Sequence, residues 1–455
     1  MSNPPPGDHP ARPDAPPPRR RALARATLAT ASAVSWLSRR TGLGSGSVIG
    51  GQVAVFVHRR LLQQLCEGRN VVLVSGTNGK STTNHFLAAA LATRGPVATN
   101  ADGANMDAGM VVALGAAPDA RDAALECDEL WLPQVLAQVG PAVVTLLNLS
   151  RDQLDRTQEV RGIADAWRTA LTRLPTRAVV ANADDPLVVW AASGALEGPG
   201  ERRVVWVGTG AWWTLDAAGC PACGGRIDFD DGHWACRDCT FARPTPSLWL
   251  DGEALRTADG ATLPLDLALP GRANRANAAM ATASAAALGV DAATSVGALG
   301  SVGDVAGRYR TASVGGRAVR LLLAKNPAGW REALQMVDGS SAPAVVSINA
   351  RIADGRDPSW LWDVPFEQLR GRFVVAGGER RHDLAVRLAY AEVDHACAGS
   401  LAEAVALVAA REDDGWRTDG SGSPAGAPDD RTTASAIDVI GNYTAVQDYL
   451  AEVDR

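Results

Sequence analysis

The chain has 455 residues, enough for two or three domains, and its 46% hydrophobic and 21% charged content is that of a soluble globular protein. A formal net charge of −6 argues against a general nucleic-acid binder, which carries a basic surface. No run approaches the ~20 apolar residues of a spanning helix. The basic stretch from Arg19 to Arg25 lacks the apolar segment of a signal peptide, because Ser35, Arg39 and Arg40 interrupt the Ala-rich residues after it. The expectation is a cytoplasmic protein, with residues 26–40 able to lie weakly on the inner face of a membrane.

Residues 1–46 read as a disordered or weakly helical tail, rich in Pro and Arg over 3–20. Residues 47–68 look helical. The aliphatic run Val71-Val72-Leu73-Val74 then breaks into Ser75-Gly76-Thr77-Asn78-Gly79-Lys80-Ser81-Thr82, after which Phe86, Leu87, Ala90 and Leu91 fall on one helix face. The order is strand, phosphate loop, helix. Small residues let successive backbone N–H groups converge on phosphate oxygens, with the helix N-terminus adding positive potential. Lys80 would reach the outer phosphates and the Ser81 hydroxyl would sit on Mg²⁺. The usual loop has one more glycine, where this chain has Val74; a turn that binds nothing is the bland alternative. The pattern predicts ATP binding.

Short aliphatic runs alternating with helices come next: Val97–Asn100, Ala123–Glu129, Ala142–Asn148 and Ala178–Asn182, the last leading into Ala183-Asp184-Asp185-Pro186. This rhythm predicts a parallel sheet covered on both faces. Each run ends in polar residues, and in such sheets ligands gather beyond the carboxyl ends of the strands. The expected division is a central ATP-binding domain over 47–305 and a smaller α/β domain over 306–455. Strands are expected at 319–323, 344–348, 373–376 and 437–440, and residues 411–433 read as a mobile loop.

Cys220-Pro-Ala-Cys223 and Cys236-Arg-Asp-Cys239 form two C-x-x-C knuckles, inserted at about 210–245. Two such turns complete a tetrahedral Zn²⁺ site, and four thiolates leave no open position, so the predicted metal is structural. Two disulfides are the alternative, disfavoured in a cytoplasmic setting. His233 reads as a surface residue. Cys66, Cys127 and Cys397 are isolated and read as small apolar side chains.

Gly76–Ser81, Asn182–Pro186 and Gly307-Arg308 together resemble the Mur ligase family, ATP-dependent enzymes that activate a carboxylate as an acyl phosphate and join it to an amine. Arg151-Asp152-Gln153-Leu154-Asp155 stands where many members have Asp-His-Leu-Asp, and Ala273-Asn274 stands for a usual His-Asn. The ribbon, Lys325–Trp330, the Asp-rich stretch Asp354–Asp363 and Gly441–Val446 look like the amidating branch of that family. That resemblance implies conversion of the D-glutamate α-carboxylate of lipid II to D-isoglutamine in peptidoglycan synthesis. It implies that Glu126 or Glu129 shares Mg²⁺ with Ser81, that Asn274 faces adenine, and that Arg308 contacts nucleotide. Asp152 and Asp155 become candidates for metal or substrate contact. It implies as well a glutamine amidotransferase partner of the GatD type, since this chain has no glutaminase elbow of its own. An Asp from this chain would complete the partner's Cys-His pair: Asp357 first, Asp354 and Asp363 behind it. Trp360 and Trp362 read equally as interface anchors or as core. The competing readings are a stand-alone amino-acid ligase of the Mur or folylpolyglutamate type and a zinc-ribbon ATPase that contacts nucleic acid.

Overall fold

The structure of the chain is a computed structural model describing residues 60–100, 105–151, 160–200, 202–210, 213–303, 309–338, 342–413 and 436–453, with Val55, Phe56, His58 and Ser340. The expectations for the 1–46 tail, for Asp152, Gln153 and Asp155, for Arg308 and for residues 414–433 lie outside the described residues. Residues 411–413, expected to open a loop, instead close a helix that runs to Asp413.

The first unit runs α1 (Leu61–Cys66), β1 (Asn70–Ser75), α2 (Lys80–Ala92), β2 (Val97–Thr99), α3 (Asp107–Ala116), β3 (Asp122–Glu126), α4 (Leu132–Val139), β4 (Val143–Leu146), α5 (Val160–Arg173), β5 (Ala178–Asn182), α6 (Pro186–Glu197) and β6 (Arg203–Gly208). A small hairpin, β7 (Ile227–Asp230) with β8 (His233–Cys236), comes next, then β9 (Leu248–Asp251), β10 (Ala254–Thr257), β11 (Thr262–Pro264), α7 (Arg272–Ala287) and α8 (Ala292–Leu299). The main sheet has the order β11-β10-β9-β6-β5-β4-β1-β3-β2. It is parallel from β2 through β9, and only β10 and β11 turn back antiparallel.

β1 reads as a continuous apolar run because it is central and covered twice. Val71 and Leu73 enter one core with α1, α3 and α5; Val72 and Val74 enter the other with Phe86 and Leu87 of α2. The alternation is the strand's own two-residue period. On that second face α7 presents Ala278, Ala279, Ala281 and Ala285, all fully buried. Residues this small bring the helix close enough for Ser284 and Thr145 of β4 to share a hydrogen bond of 2.7 Å.

The second unit contains β12 (Tyr309–Val314), β13 (Arg317–Leu323), α9 (Pro327–Met336), β14 (Ala344–Ser347), β15 (Phe373–Gly377), α10 (Arg381–Tyr390), β16 (Asp394–Cys397), α11 (Leu401–Asp413), β17 (Ile437–Gly441) and α12 (Tyr443–Val453). Its sheet order is β12-β13-β17-β14-β15-β16, with β12 antiparallel to β13 and the remaining pairs parallel. Cores lie on both of its faces, one built around Trp330 and Phe366, the other around Leu401 and Val408. No described helix is long and apolar enough to cross a membrane.

Candidate active site

β1 delivers the phosphate loop to the point where the strand order reverses, between β4 and β3, and the loop is stitched to the end of β4. Thr77 N donates to Asn148 O at 2.9 Å, Asn78 N donates to Asn148 Oδ1 at 2.9 Å, and Asn148 Nδ2 returns a bond to Asn78 O at 3.0 Å. Thr77 Oγ1 accepts from Ser150 N and donates to Ser150 O. Gly79 has φ +81°, and a Cβ there would come within 2.3 Å of Asn277 Oδ1 on α7. Glycine is needed here both for the left-handed backbone and for the close approach.

The two acids that sequence left unresolved have different partners. Ser81 Oγ donates to Glu126 Oε2 at 2.8 Å, whereas Lys80 Nζ donates to Glu129 Oε2 at 2.9 Å and to the carbonyls of Gly76 and Thr77. Glu126 closes β3 and is held from both sides by Asn100, which accepts from its N–H and donates to its carbonyl, each at 2.8 Å. A hydroxyl and a buried carboxylate at this distance are the hard oxygen donors that Mg²⁺ takes beside nucleotide phosphates. Lys80 is buried, with its ammonium folded back on the loop.

Beside the loop lies a cavity walled by the ends of β4, β5 and β6, by α7, and by Ala328 and Glu332 of α9. Asp184 and Asp185 both reach it. Asp185 caps α6, accepting from Leu187 N and Val188 N ahead of Pro186, and also accepts from Leu149 N. Part of its surface faces the cavity, yet burial pushes its carboxyl up to about 6 against those three N–H donors. On α7 the cavity is lined by Ala273, Ala276 and Asn277, while the Asn274 amide donates to Pro270 O at 2.6 Å.

The four knuckle cysteines meet at one point, with their sulfurs all within 4.8 Å of one another. Cys220 and Cys239 are 3.7 Å apart, Cys223 and Cys236 3.5 Å. These separations are far too long for S–S bonds. They are close to the edge of about 3.8 Å of a tetrahedron with Zn–S bonds of ~2.3 Å. Gly224 at φ +80° turns the first knuckle. The donor set and geometry fit Zn²⁺. The isolated Cys66 and Cys127 are buried, and burial pushes the Cys66 thiol up to about 12 and that of Cys127 higher, so neither is a nucleophile.

In the second unit the three candidate aspartates separate. Asp354 is buried and spent on the start of α12, accepting from Thr444 N at 2.9 Å and from the Thr444 hydroxyl. Asp363 lies 3.4 Å from Arg151 Nη1 of the first unit, and Arg151 also binds Asp216. Asp357 is exposed and caps the short turn Pro358–Asp363 through Ser359 N, and that bond holds its carboxyl below the usual range. The tryptophans divide as well. Trp360 is buried and stacked on Trp330 at 6.0 Å, while Trp362 is 56% exposed and meets the exposed Tyr390 edge-on at 5.3 Å.

Residues 74–203 match the family model of the Mur ligase middle domain, and residues 323–417 match that of the MurT ligase C-terminal region. A Streptococcus pneumoniae protein, lipid II isoglutaminyl synthase (glutamine-hydrolyzing) subunit MurT, is 30% identical over 376 residues, 76% of this chain and 82% of that protein. The chain belongs to the MurT family. Its fold is that of Mur ligases at large. A pseudomurein peptide ligase type C from Methanothermus fervidus superposes with a TM-score of 0.62 at 18% identity, covering 86% of this chain and 80% of that one. The Mycobacterium tuberculosis folylpolyglutamate synthase solved with ADP and AMPPCP superposes at 0.50 and 16% identity, covering 86% and 92%.

For this MurT-family chain, sequence reasoning passed over several residues at the site. Asn277 packs on Gly79, Asn100 brackets Glu126, and Asn326 reaches the phosphate loop from the second unit. Asn277 had a signal, lying three residues, almost one helical turn, beyond Asn274 in the same motif. Asn326 stood inside the Lys325–Trp330 motif, but its pairing with Asn78 carried no sequence signal, because the two are 248 residues apart.

Proposed function

We infer that this chain is the ligase subunit of a glutamine-hydrolysing lipid II isoglutaminyl synthase, amidating the D-glutamate α-carboxylate of lipid II to D-isoglutamine in peptidoglycan synthesis. The observation that carries the reading is the identity to the pneumococcal MurT over 82% of that protein, with the phosphate loop and the Asp-rich C-terminal motif both inside the chain. A carboxylate repels ammonia, and bound MgATP would supply the phosphoryl group that makes it an acyl phosphate. The loop N–H groups and Lys80 would hold and neutralise phosphate oxygens, with Lys80 leaving its contacts with Gly76, Thr77 and Glu129. Ser81 and Glu126 are the proposed Mg²⁺ ligands, with Glu129 as the counter-charge of Lys80. The cavity beside the loop, walled by Ala276, Asn277 and Asp185, is the proposed adenosine site.

Ammonia comes from a GatD-like glutaminase. Asp357 is the proposed third member of its Cys-His pair, orienting the imidazole and stabilising its cationic form. Asp357 is favoured because it is exposed and holds only a local bond from Ser359 N, whereas Asp354 is buried on Thr444 and Asp363 pairs with Arg151. The Cys220, Cys223, Cys236 and Cys239 cluster is proposed to hold structural Zn²⁺. Co-expression with a glutaminase-like protein, followed by co-purification and incubation with lipid II, glutamine and MgATP, tests the whole reading. A mass loss of about 1 Da on the stem peptide, from exchange of –OH for –NH₂, is the expected product; its absence with an active partner would sink the assignment.

A further inference from the structure

The cysteine ribbon is more than a surface appendage, because two of its residues reach the back of the nucleotide cavity. Trp234, on β8 and two residues before Cys236, is 3% exposed and donates its indole N–H to Ala183 O at 3.0 Å. Arg243, just beyond the second knuckle, donates Nε to Asp184 Oδ1 at 2.5 Å, with both side chains nearly buried. The two are tied together, since Arg243 N donates to Trp234 O at 2.9 Å. Asp184 spends its other oxygen on Thr209 N and Gly210 N, both at 2.6 Å, and Asp184, Thr209 and Gly210 line the cavity. The ribbon therefore grips one carboxylate that in turn fixes two adjacent stretches of cavity wall, the ends of β5 and β6.

We propose that Trp234 and Arg243 are positioning residues for the nucleotide wall, so that the ribbon sets nucleotide affinity. Neither lines the cavity itself. Their role is to keep Asp184 aimed at Thr209 and Gly210; without Arg243 the buried carboxylate loses its cation and the wall relaxes. The inference rests on the proposed nucleotide site, and the experiment separates the two. ADP with Mg²⁺ is titrated calorimetrically into the full chain and into Trp234→Phe and Arg243→Gln, with bound zinc measured on each sample. Trp234→Phe keeps a ring against Phe241, which sits 5.0 Å from the indole, and removes only the donor. Each variant is expected to weaken ADP on the order of tenfold, to raise KM for ATP more than it lowers kcat, and to retain zinc; Arg243→Lys should recover part of the loss. Hydrogen exchange on the wild-type chain gives a test that needs no variant: ADP should slow exchange at residues 233–243 as well as in the loop. If wild-type chain binds no ADP, the nucleotide site itself is wrong. If it binds ADP, but the variants bind equally well or 233–243 is indifferent to nucleotide, the ribbon plays no positioning part.

Discussion

Asn78 and Asn326 exchange amide hydrogen bonds across the two units, 3.2 Å in one direction and 3.1 Å in the other. Asn78 belongs to the phosphate loop; Asn326 caps α9 by accepting from Gly329 N, and α9 places Ala328 and Glu332 in the cavity wall. The second unit is thereby registered directly on the loop that is proposed to hold phosphate.

A double-mutant cycle measures that registration. Asn326→Ala removes both the cap and the pair, and should cost about 1 kcal/mol in a urea melt for the cap alone. Asn326→Asp keeps the cap but cannot donate to Asn78, so it should recover stability while KM for ATP stays raised. Coupling with Asn78→Ala is expected at about 0.5–1.5 kcal/mol. Strict additivity would mean the amide pair carries nothing.

Lys80→Ala should lower amidation by at least ~10²-fold, since a positioned charge on the transferring phosphoryl group is lost. The sequence suggests an exposed loop lysine whose removal leaves the fold untouched. The buried pair with Glu129 changes that expectation, because truncation strands a buried carboxylate. The single variant should melt lower than wild type, and Lys80→Ala combined with Glu129→Gln should regain most of the loss without regaining activity.

The parallel sheet, the phosphate loop and the cysteine cluster were legible because each is written in contiguous residues: a buried β1, two glycines at fixed spacing, two C-x-x-C turns. β6, β9–β11 and β12 were not. β6 has a short apolar run, Val204–Val207, but it abuts the inserted ribbon rather than another helix of the strand–helix rhythm, whereas β10 and β11 are short strands at one end of the sheet with exposed positions and no apolar run. The ribbon between β6 and β9 also hides that these two strands pair in parallel. The different partners of Glu126 and Glu129 needed three dimensions for a simpler reason. Both sit near one strand end, and only the direction of the chain after β3 turns one toward Ser81 and the other toward Lys80.

Asp185 gives a pH signature. Its carboxyl is raised from 3.8 to about 6 in the folded chain by burial. A raised carboxyl binds protons more tightly when folded, so between pH 4 and 6 stability falls as pH rises, and above 6 the full cost of the buried charge is present. The amide of an Asp185→Asn variant would mimic the neutral acid and still cap α6. Its melting temperature relative to wild type should therefore climb between pH 4 and pH 6.5 and then level. A flat difference over that window would show that Asp185 titrates normally.

Elemental analysis of freshly purified protein should find one zinc per chain, lost in Cys220→Ser or Cys236→Ser. Chelation should raise hydrogen exchange first in residues 215–245, since ligand geometry and local folding are coupled there. Trp234, Ile227 and the cysteines form a small core of their own against Val189, too small to hold without the metal. Protein that is metal-free and equally protected in that stretch would remove the metal from the account.

Asp357→Asn separates the two half-reactions. An amide cannot stabilise a cationic imidazole and favours the wrong tautomer, so glutamine hydrolysis by the partner should fall by up to ~10⁴-fold. Amidation fed by a high concentration of ammonium salt should persist, because the phosphate loop and its acids lie in the other unit. The cap of the 358–363 turn is preserved, since asparagine accepts from Ser359 N as aspartate does. Asp363→Asn is the matched control: it weakens a half-exposed pair with Arg151 beside the loop and should leave glutaminase turnover near normal. If Asp357→Asn stops the ammonia-fed reaction as severely as the glutamine-fed one, the carboxylate serves the ligase site instead. If it affects neither while Asp363→Asn abolishes hydrolysis, the roles of the two ends of this turn are reversed.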